Sequence, residues 1–425
     1  MCDSLLARGA RTVDGATLFA KSSERPVRES QPFIQLPAAF HPRGSQVRCT
    51  HVEIDQVAET YRVMGHSPVW CWGFAQGVNE FGVAIGCHAT RSREPLEQAA
   101  GLIGMDLVRL GLERGRDARE ALEIIATLIE MHGQGGAVFD STEDPGCQNS
   151  FAIADGRSVW VLETTARRWA ARSAEGVRLS NALTLGADWE IGSRDLERHA
   201  AENGYWRGPG RLDFRAAYAC PDGACPDGWE ASTRRQGGAR PRDSPRSPLS
   251  LETAKQWLGE RGRGADSAGT AHGEPDSGRS ESGVSAHPVS MRASLVVRIP
   301  ETGGARPWPV WIGFDVPCME IFVPVYLEGV LPASLAASSE DSMWASMRAL
   351  RESAAADSAR ALPRLRAGWG RIASEIESDR AQAEAEAAVL ADAERMEESA
   401  DTLTRFMTRT TDLVLETSRR LAGSD

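Results

Sequence analysis

A chain of 425 residues, 41% hydrophobic and 25% charged, is long enough to bury a core and has ordinary globular composition. Its net charge of -11 argues against a general nucleic-acid binder, which needs a basic surface to follow phosphates. It contains no apolar run of about 18 residues and no basic segment leading into an apolar one at the start, so neither a membrane span nor a secretory signal is expected, and a cytoplasmic protein is.

The first 90 residues carry strand signals. "LLARGARTV" and "ATLFAKSS" flank Asp14-Gly15, a two-residue hairpin signal because glycine accepts the positive φ of a tight turn. "SPVWCWGFAQGVNEFGVAIGCHAT" predicts a second pair turning between Gly77 and Gly82, apolar on both faces as in a sheet covered on both sides. Over 102–132 the period becomes helical. Met105, Val108 and Leu112 stripe one helix that ends at Gly115; Asp117 caps the next, and Gly133 stops it. Strands return at "NSFAIADGRSVWVLETT", and "RWAARSAEGVRLSN" reads as a further pair.

Residues 232–289 are rich in Gly, Ser, Pro and Arg and too poor in apolar residues to order themselves, apart from the short helix "SLETAKQWLGERG". "SMRASLVVRIP" and "WPVWIGFDVPCMEIFVPVYL" are strands again. From 339 to 423 three helices are expected, broken near Pro363 and in the 390s, with apolar stripes to close over the sheets.

Eight cysteines are scattered along the chain, and Cys220 and Cys225 in "CPDGAC" read as two loop thiols in a reducing compartment. The eight histidines form no ligand-like spacing, so no metal and no cofactor are expected.

Cys2 directly follows the initiator methionine. Removal of Met1 would put a thiol and a free α-amine on one Cα. An α-amine titrates at about 7.7–8, so part of it is a base near neutral pH, and a thiol is intrinsically a strong nucleophile. One residue can then supply nucleophile and base without a histidine. A two-residue turn at Asp14-Gly15 would pair Lys21 with Arg8 and Arg25 with Ser4, running "KSSERP" back beside the terminus. A cation there favours thiolate, and a carboxylate holds an ammonium.

The blocks "MCDSLLA", "DGATLFAKSSERP", "CTHVEIDQV", "WCWGFAQGVNEFGVAIG", "GMDLVRLGLERG", "EALEIIATLIEMHGQGG", "NSFAIAD" and "GVRLSN" resemble the secernin and dipeptidase A family of cysteine N-terminal-nucleophile (Ntn) hydrolases, over residues 2 to about 190. The resemblance implies an α+β fold, a four-layer αββα sandwich over 2–335, with the C-terminal helices at 339–423 added to it. It implies a dipeptidase working through a thioester at Cys2, with Lys21, Glu24 and Asn181 as further catalytic residues. Asn181 stands where these enzymes place an oxyanion donor, and a second donor is expected near the end of "GVAIG". Arg25, Cys87 and His88 are the substrate-binding candidates. Relatives commonly have Asn-Glu where this chain has Cys87-His88, and Asp where it has Glu24, one methylene longer. Two alternatives follow: an acylase of small N-acyl amides, and a non-catalytic interaction protein of secernin type. The expected partner is a small peptide or amide; self-association is allowed, and nucleic acid and membrane are not expected.

Overall fold

The computed structural model describes residues 2–26, 29–97, 99–139, 146–220, 248–266, 290–301, 307–314, 321–355 and 358–423. Of the expected 232–289 insert only residues 248–266, with the helix Leu251–Asp266, are described.

Strands β1 (Cys2–Gly9) and β2 (Gly15–Pro26) open the chain. Then come β3 (Phe33–Leu36), β4 (Ala39–Phe40), β5 (Gln46–Arg48), β6 (Glu53–Asp55), β7 (Glu59–Thr60), β8 (Val63–His66), β9 (Gln76–Asn79) and β10 (Ala84–Thr90). Helices α1 (Gly104–Arg114) and α2 (Ala118–His132) follow. Next are β11 (Gln148–Ala154), β12 (Val159–Thr165), β13 (Arg168–Ser173), β14 (Gly176–Leu179) and β15 (Ile191–Gly192). Strands β16 (Ser290–Ile299), β17 (Val310–Phe314) and β18 (Val323–Val325) close the set.

Two antiparallel sheets result. One has the order β14-β1-β2-β16-β17-β18 and the other β15-β13-β12-β11-β10-β9-β8-β3. Alternation along the strands gives each sheet an inner and an outer face. Leu6 and Phe19 of the six-stranded sheet meet Val78, Ala84, Ala152 and Val161 of the other in one core. Ile85, Phe151, Ile153 and Leu162 face the opposite way and pack beneath Leu107, Val108, Leu122 and Ile125 of α1 and α2. Leu5, Leu18, Ala20 and Val296 pack outward against Ala254 and Leu258 of the helix Leu251–Asp266. The layers therefore run helix, sheet, sheet, helix, and the fold class is α+β, as expected.

Asp117 caps α2 by accepting the Glu120 amide, and Gly133 ends it in the left-handed region at φ 72°. The C-terminal helices are Met343–Ala355, Ser358–Asp392 and Met396–Ala422. They lay Trp344, Met347, Phe406 and Met407 on the same core as Ile312, Val323 and Val325. Pro363 does not break them as expected; it lies inside the second helix. Among the described residues no helix is long and apolar enough to cross a membrane. Cys220 is in a disulfide rather than free, its partner lying outside the described residues.

Two strand pairings differ from expectation, and both bear on Cys2. The first hairpin does not turn at Asp14-Gly15 alone. Gly9 and Gly15 both take positive φ, at 56° and 78°, and open a longer loop between them. Thr12 Oγ1 donates to the carbonyls of Gly9 and Ala16, and Val13 and Arg11 pair with Leu249, which fastens the loop from outside. The register shifts accordingly: Ser4 faces Lys21 and Cys2 faces Ser23, instead of Arg8 facing Lys21. The second difference is that β13 and β14 do not pair. The chain crosses between sheets at Ala174 and Glu175, and β14 joins β1, with Leu179 opposite Ser4.

Candidate active site

The crossing delivers Asn181, two residues past β14, to the start of β1. The main-chain nitrogen of Cys2 donates to Asn181 Oδ1 at 2.8 Å, and Asn181 Nδ2 donates to the Ala89 carbonyl at 2.8 Å. Asn181 thereby ties the first strand of one sheet to β10 of the other.

Strand alternation decides what else shares this face. Cys2, Ser4 and Leu6 point between the sheets, and so do their partners Ser23, Lys21 and Phe19. The Cys2 thiol approaches Ser23 Oγ at 3.9 Å. Lys21 is wholly buried, and its ammonium donates to Gln76 Oε1 at 2.9 Å. The Gln76 amide in turn donates to the Ala293 carbonyl at 2.8 Å, which fixes its oxygen toward the lysine. Room for the lysine stem comes from Gly86, where a Cβ would lie 2.1 Å from Lys21 Cδ. Arg25 pairs with Glu29 at 2.5 Å, donates to the Val138 carbonyl at 2.6 Å, and lies against the rings of Phe139 and Trp70.

These groups set the charge state of the thiol. Burial acts to raise the Cys2 pKa. The Lys21 cation, then the terminal ammonium, the Arg25 cation and the Ser23 hydroxyl, outweigh it and hold the thiol below its ordinary value. The two buried histidines respond in the opposite sense. Burial, aided by Lys21, pushes His66 down to about 3 and His88 well below its usual range, so both are neutral.

Of the residues singled out from sequence, Cys2, Lys21, Asn181, Arg25 and His88 come together between the sheets. His88 Nε2 bonds Ser4 Oγ at 2.9 Å, two residues from the thiol. Glu24 and Cys87 do not join them. Glu24 is three residues from Lys21 on a regular strand, hence on the other face, with its main chain opposite Arg292. Cys87 lies with the outer-face residues of β10 beneath α1, its thiol 3.7 Å from the Ala75 carbonyl, and burial pushes its pKa up to about 11. Sequence reasoning missed Ser23, Ser4 and Gln76. Two-residue periodicity from Lys21 marks Ser23, and the true register marks Ser4; Gln76 carries no local signal.

Among the described residues, no group of three or more His, Cys, Asp or Glu is placed to hold a metal ion. The arrangement is that of a candidate thiol nucleophile: a strand-terminal cysteine beside two cations, its nitrogen held by an amide. A model of peptidase family C69 matches residues 1–220. The chain belongs to that family, which places it among hydrolases of peptide and amide bonds. Solved structures that the chain is similar to include a C2A mutant of the conjugated bile acid hydrolase of Clostridium perfringens, 14% identical, covering 78% of this chain and 95% of that one at a TM-score of 0.36. The penicillin V acylase of Agrobacterium tumefaciens is 12% identical, with 77% and 86% covered and a TM-score of 0.34. Neither likeness bears on what this chain cleaves.

Proposed function

We propose that this chain is a cysteine amidohydrolase of the N-terminal-nucleophile type, acting on dipeptides once Met1 is removed. The observation that carries the reading is that both reactive atoms of Cys2 are engaged at one half-buried point. Its nitrogen is held by Asn181 while its sulfur is drawn toward thiolate by Lys21 and Arg25.

In this reading the free α-amine of Cys2 accepts the thiol proton as sulfur attacks the scissile carbonyl. The C–N bond breaks, the amine returns the proton to the leaving nitrogen, and the acyl group stays on sulfur as a thioester. Water, deprotonated by the same amine, then adds to the thioester and releases the acid and the thiol. The Asn181 amide has a second N–H besides the one given to Ala89, and it supplies a donor to the oxyanion. The Arg25 guanidinium, on the same strand face as Ser23, would recognise a charged peptide terminus, while the neutral His88 holds the Ser4 hydroxyl.

An N-acyl amide is the second reading. It is favoured by the Phe139 and Trp70 rings beside Arg25, which suit an apolar acyl group. A paired screen of dipeptides and N-acyl amino acids separates the two.

Intact mass should show that active protein begins at Cys2. Cys2→Ala should lower hydrolysis more than about 1000-fold, as loss of a nucleophile does. Retention of Met1 in active protein, or activity surviving Cys2→Ala, would exclude this mechanism.

A further inference from the structure

Beyond Leu179 the chain that carries Asn181 leaves the strand, yet it stays buried. Leu183 and Leu185 sit in the core between the sheets. A buried loop needs partners for its amides, because an unpaired buried N–H is costly. Here one side chain supplies them. Glu163, on β12, is wholly buried and faces the inner side, one strand over from Ser150. Its Oε1 accepts from the Thr184 amide at 2.7 Å and the Thr184 hydroxyl at 2.6 Å. Its Oε2 accepts from the Thr184 amide at 2.8 Å and the Leu185 amide at 3.0 Å.

We propose that Glu163 is a positioning residue for the hydrolysis: its carboxylate clamps Thr184 and Leu185 and so holds Asn181 against the nitrogen of Cys2. This rests on the functional reading above. The ionised carboxylate accepts all of these bonds; a proton on Oε2 would face the Thr184 and Leu185 amides, and one on Oε1 would have to turn the Thr184 hydroxyl into an acceptor and give up the amide bond to that oxygen, so protonation loosens the clamp. Burial pushes Glu163 up to about 7, against the opposing pull of the Leu185 and Thr184 hydrogen bonds and of Arg172. The charge acting on it is Arg172 from β13, and His88 of β10 lies two strands away in the same row, with Ser150 between them. His88 is held neutral and does not compete. The sign follows. Above about pH 7 the clamp is closed; as pH falls through that value Glu163 takes a proton and Asn181 is released. The α-amine also protonates in this range, at about 7.7–8. Hydrolysis in the wild type should therefore fall on acidification with the slope of two protons, and in Glu163→Gln with the slope of one.

The test compares full-length wild type, Glu163→Gln, Asn181→Ala and the double variant. kcat and KM are measured from pH 5 to 9, and Cys2 labelling by iodoacetamide reports the thiol separately. Glu163→Gln should lower kcat about 100-fold with KM within about twofold, the scale of a displaced catalytic group. In the Asn181→Ala background the same change should cost less than about twofold, because its route runs through Asn181. An unchanged kcat with a two-proton limb, or a full loss repeated in the Asn181→Ala background, would overturn the clamp. If Glu163→Gln does not fold, Thr184→Val removes only the hydroxyl bond and should lower kcat several-fold, again without effect beside Asn181→Ala. If wild type cleaves no amide, the functional reading fails on its own. The clamp is then judged by labelling: an inflection near pH 7 should be present in wild type and lost in Glu163→Gln, and superimposable profiles would overturn it.

Discussion

Two cysteines stand on either side of the eight-stranded sheet's inner face, and they have opposite fates. Cys87 is packed under α1, and burial drives its thiol up to about 11 although Lys21 and Arg25 pull the other way. Cys49, in the same outer core, is pushed up to about 12 by burial and by Asp106. Cys2 is half-buried at its strand end, and its thiol is lowered. Burial raises the two buried thiols; Cys2 differs in being half-buried and in sharing its strand face with Lys21, Ser23 and Arg25. The lowered thiol of Cys2 follows from the parity of one strand, and the raised thiols of Cys87 and Cys49 from their place in the outer core.

The comparison can be broken hardest at Lys21. Lys21→Met keeps the volume and removes the cation, so the Cys2 pKa must rise and labelling by iodoacetamide at pH 7 should slow about 10-fold or more, one pKa unit being worth that factor. A labelling rate that stays at the wild-type value would remove Lys21 from the account. Gly86→Ala is a gentler blow at the same cation. The added Cβ would collide with the lysine stem at Cδ and Cε, so Lys21 must leave Gln76. Labelling should slow several-fold, with a loss of stability of about 1–3 kcal/mol seen in urea unfolding. Cys87→Ala is the control that sharpens the contrast. It should leave hydrolysis and Cys2 labelling within about twofold and cost about 1 kcal/mol of packing; a larger change in labelling would show that the two thiols are not insulated.

Much of this was legible in the residues, and the failures have particular causes. The helices α1 and α2 were readable because caps and apolar stripes are local. The strands of the first hairpin were readable too, but their register was not. It depends on Thr12 and on Leu249, which reaches the loop from far along the chain. The expected β13–β14 hairpin failed for a similar reason: "RSAEG" resembles a turn, while the pairing of Leu179 with Ser4 is invisible locally. Glu24 is a different case. Alternation alone sets it on the opposite face from Lys21, and spacing by three residues suits a helix rather than a strand. Asn181 was found only through family resemblance, and Glu163 left no signal, because its partners are main-chain amides of any residue type.

The six-stranded sheet is assembled from residues 2–26, 176–179 and 290–325, with β2 lying between β1 and β16. During synthesis the terminal cysteine emerges first, yet the strand that flanks its hairpin emerges more than 250 residues later. Closing such a span carries a large entropy cost before any contact repays it, so sheets of this kind form late and slowly. The surroundings of the Cys2 thiol are therefore complete only after β16 has been made, late in synthesis.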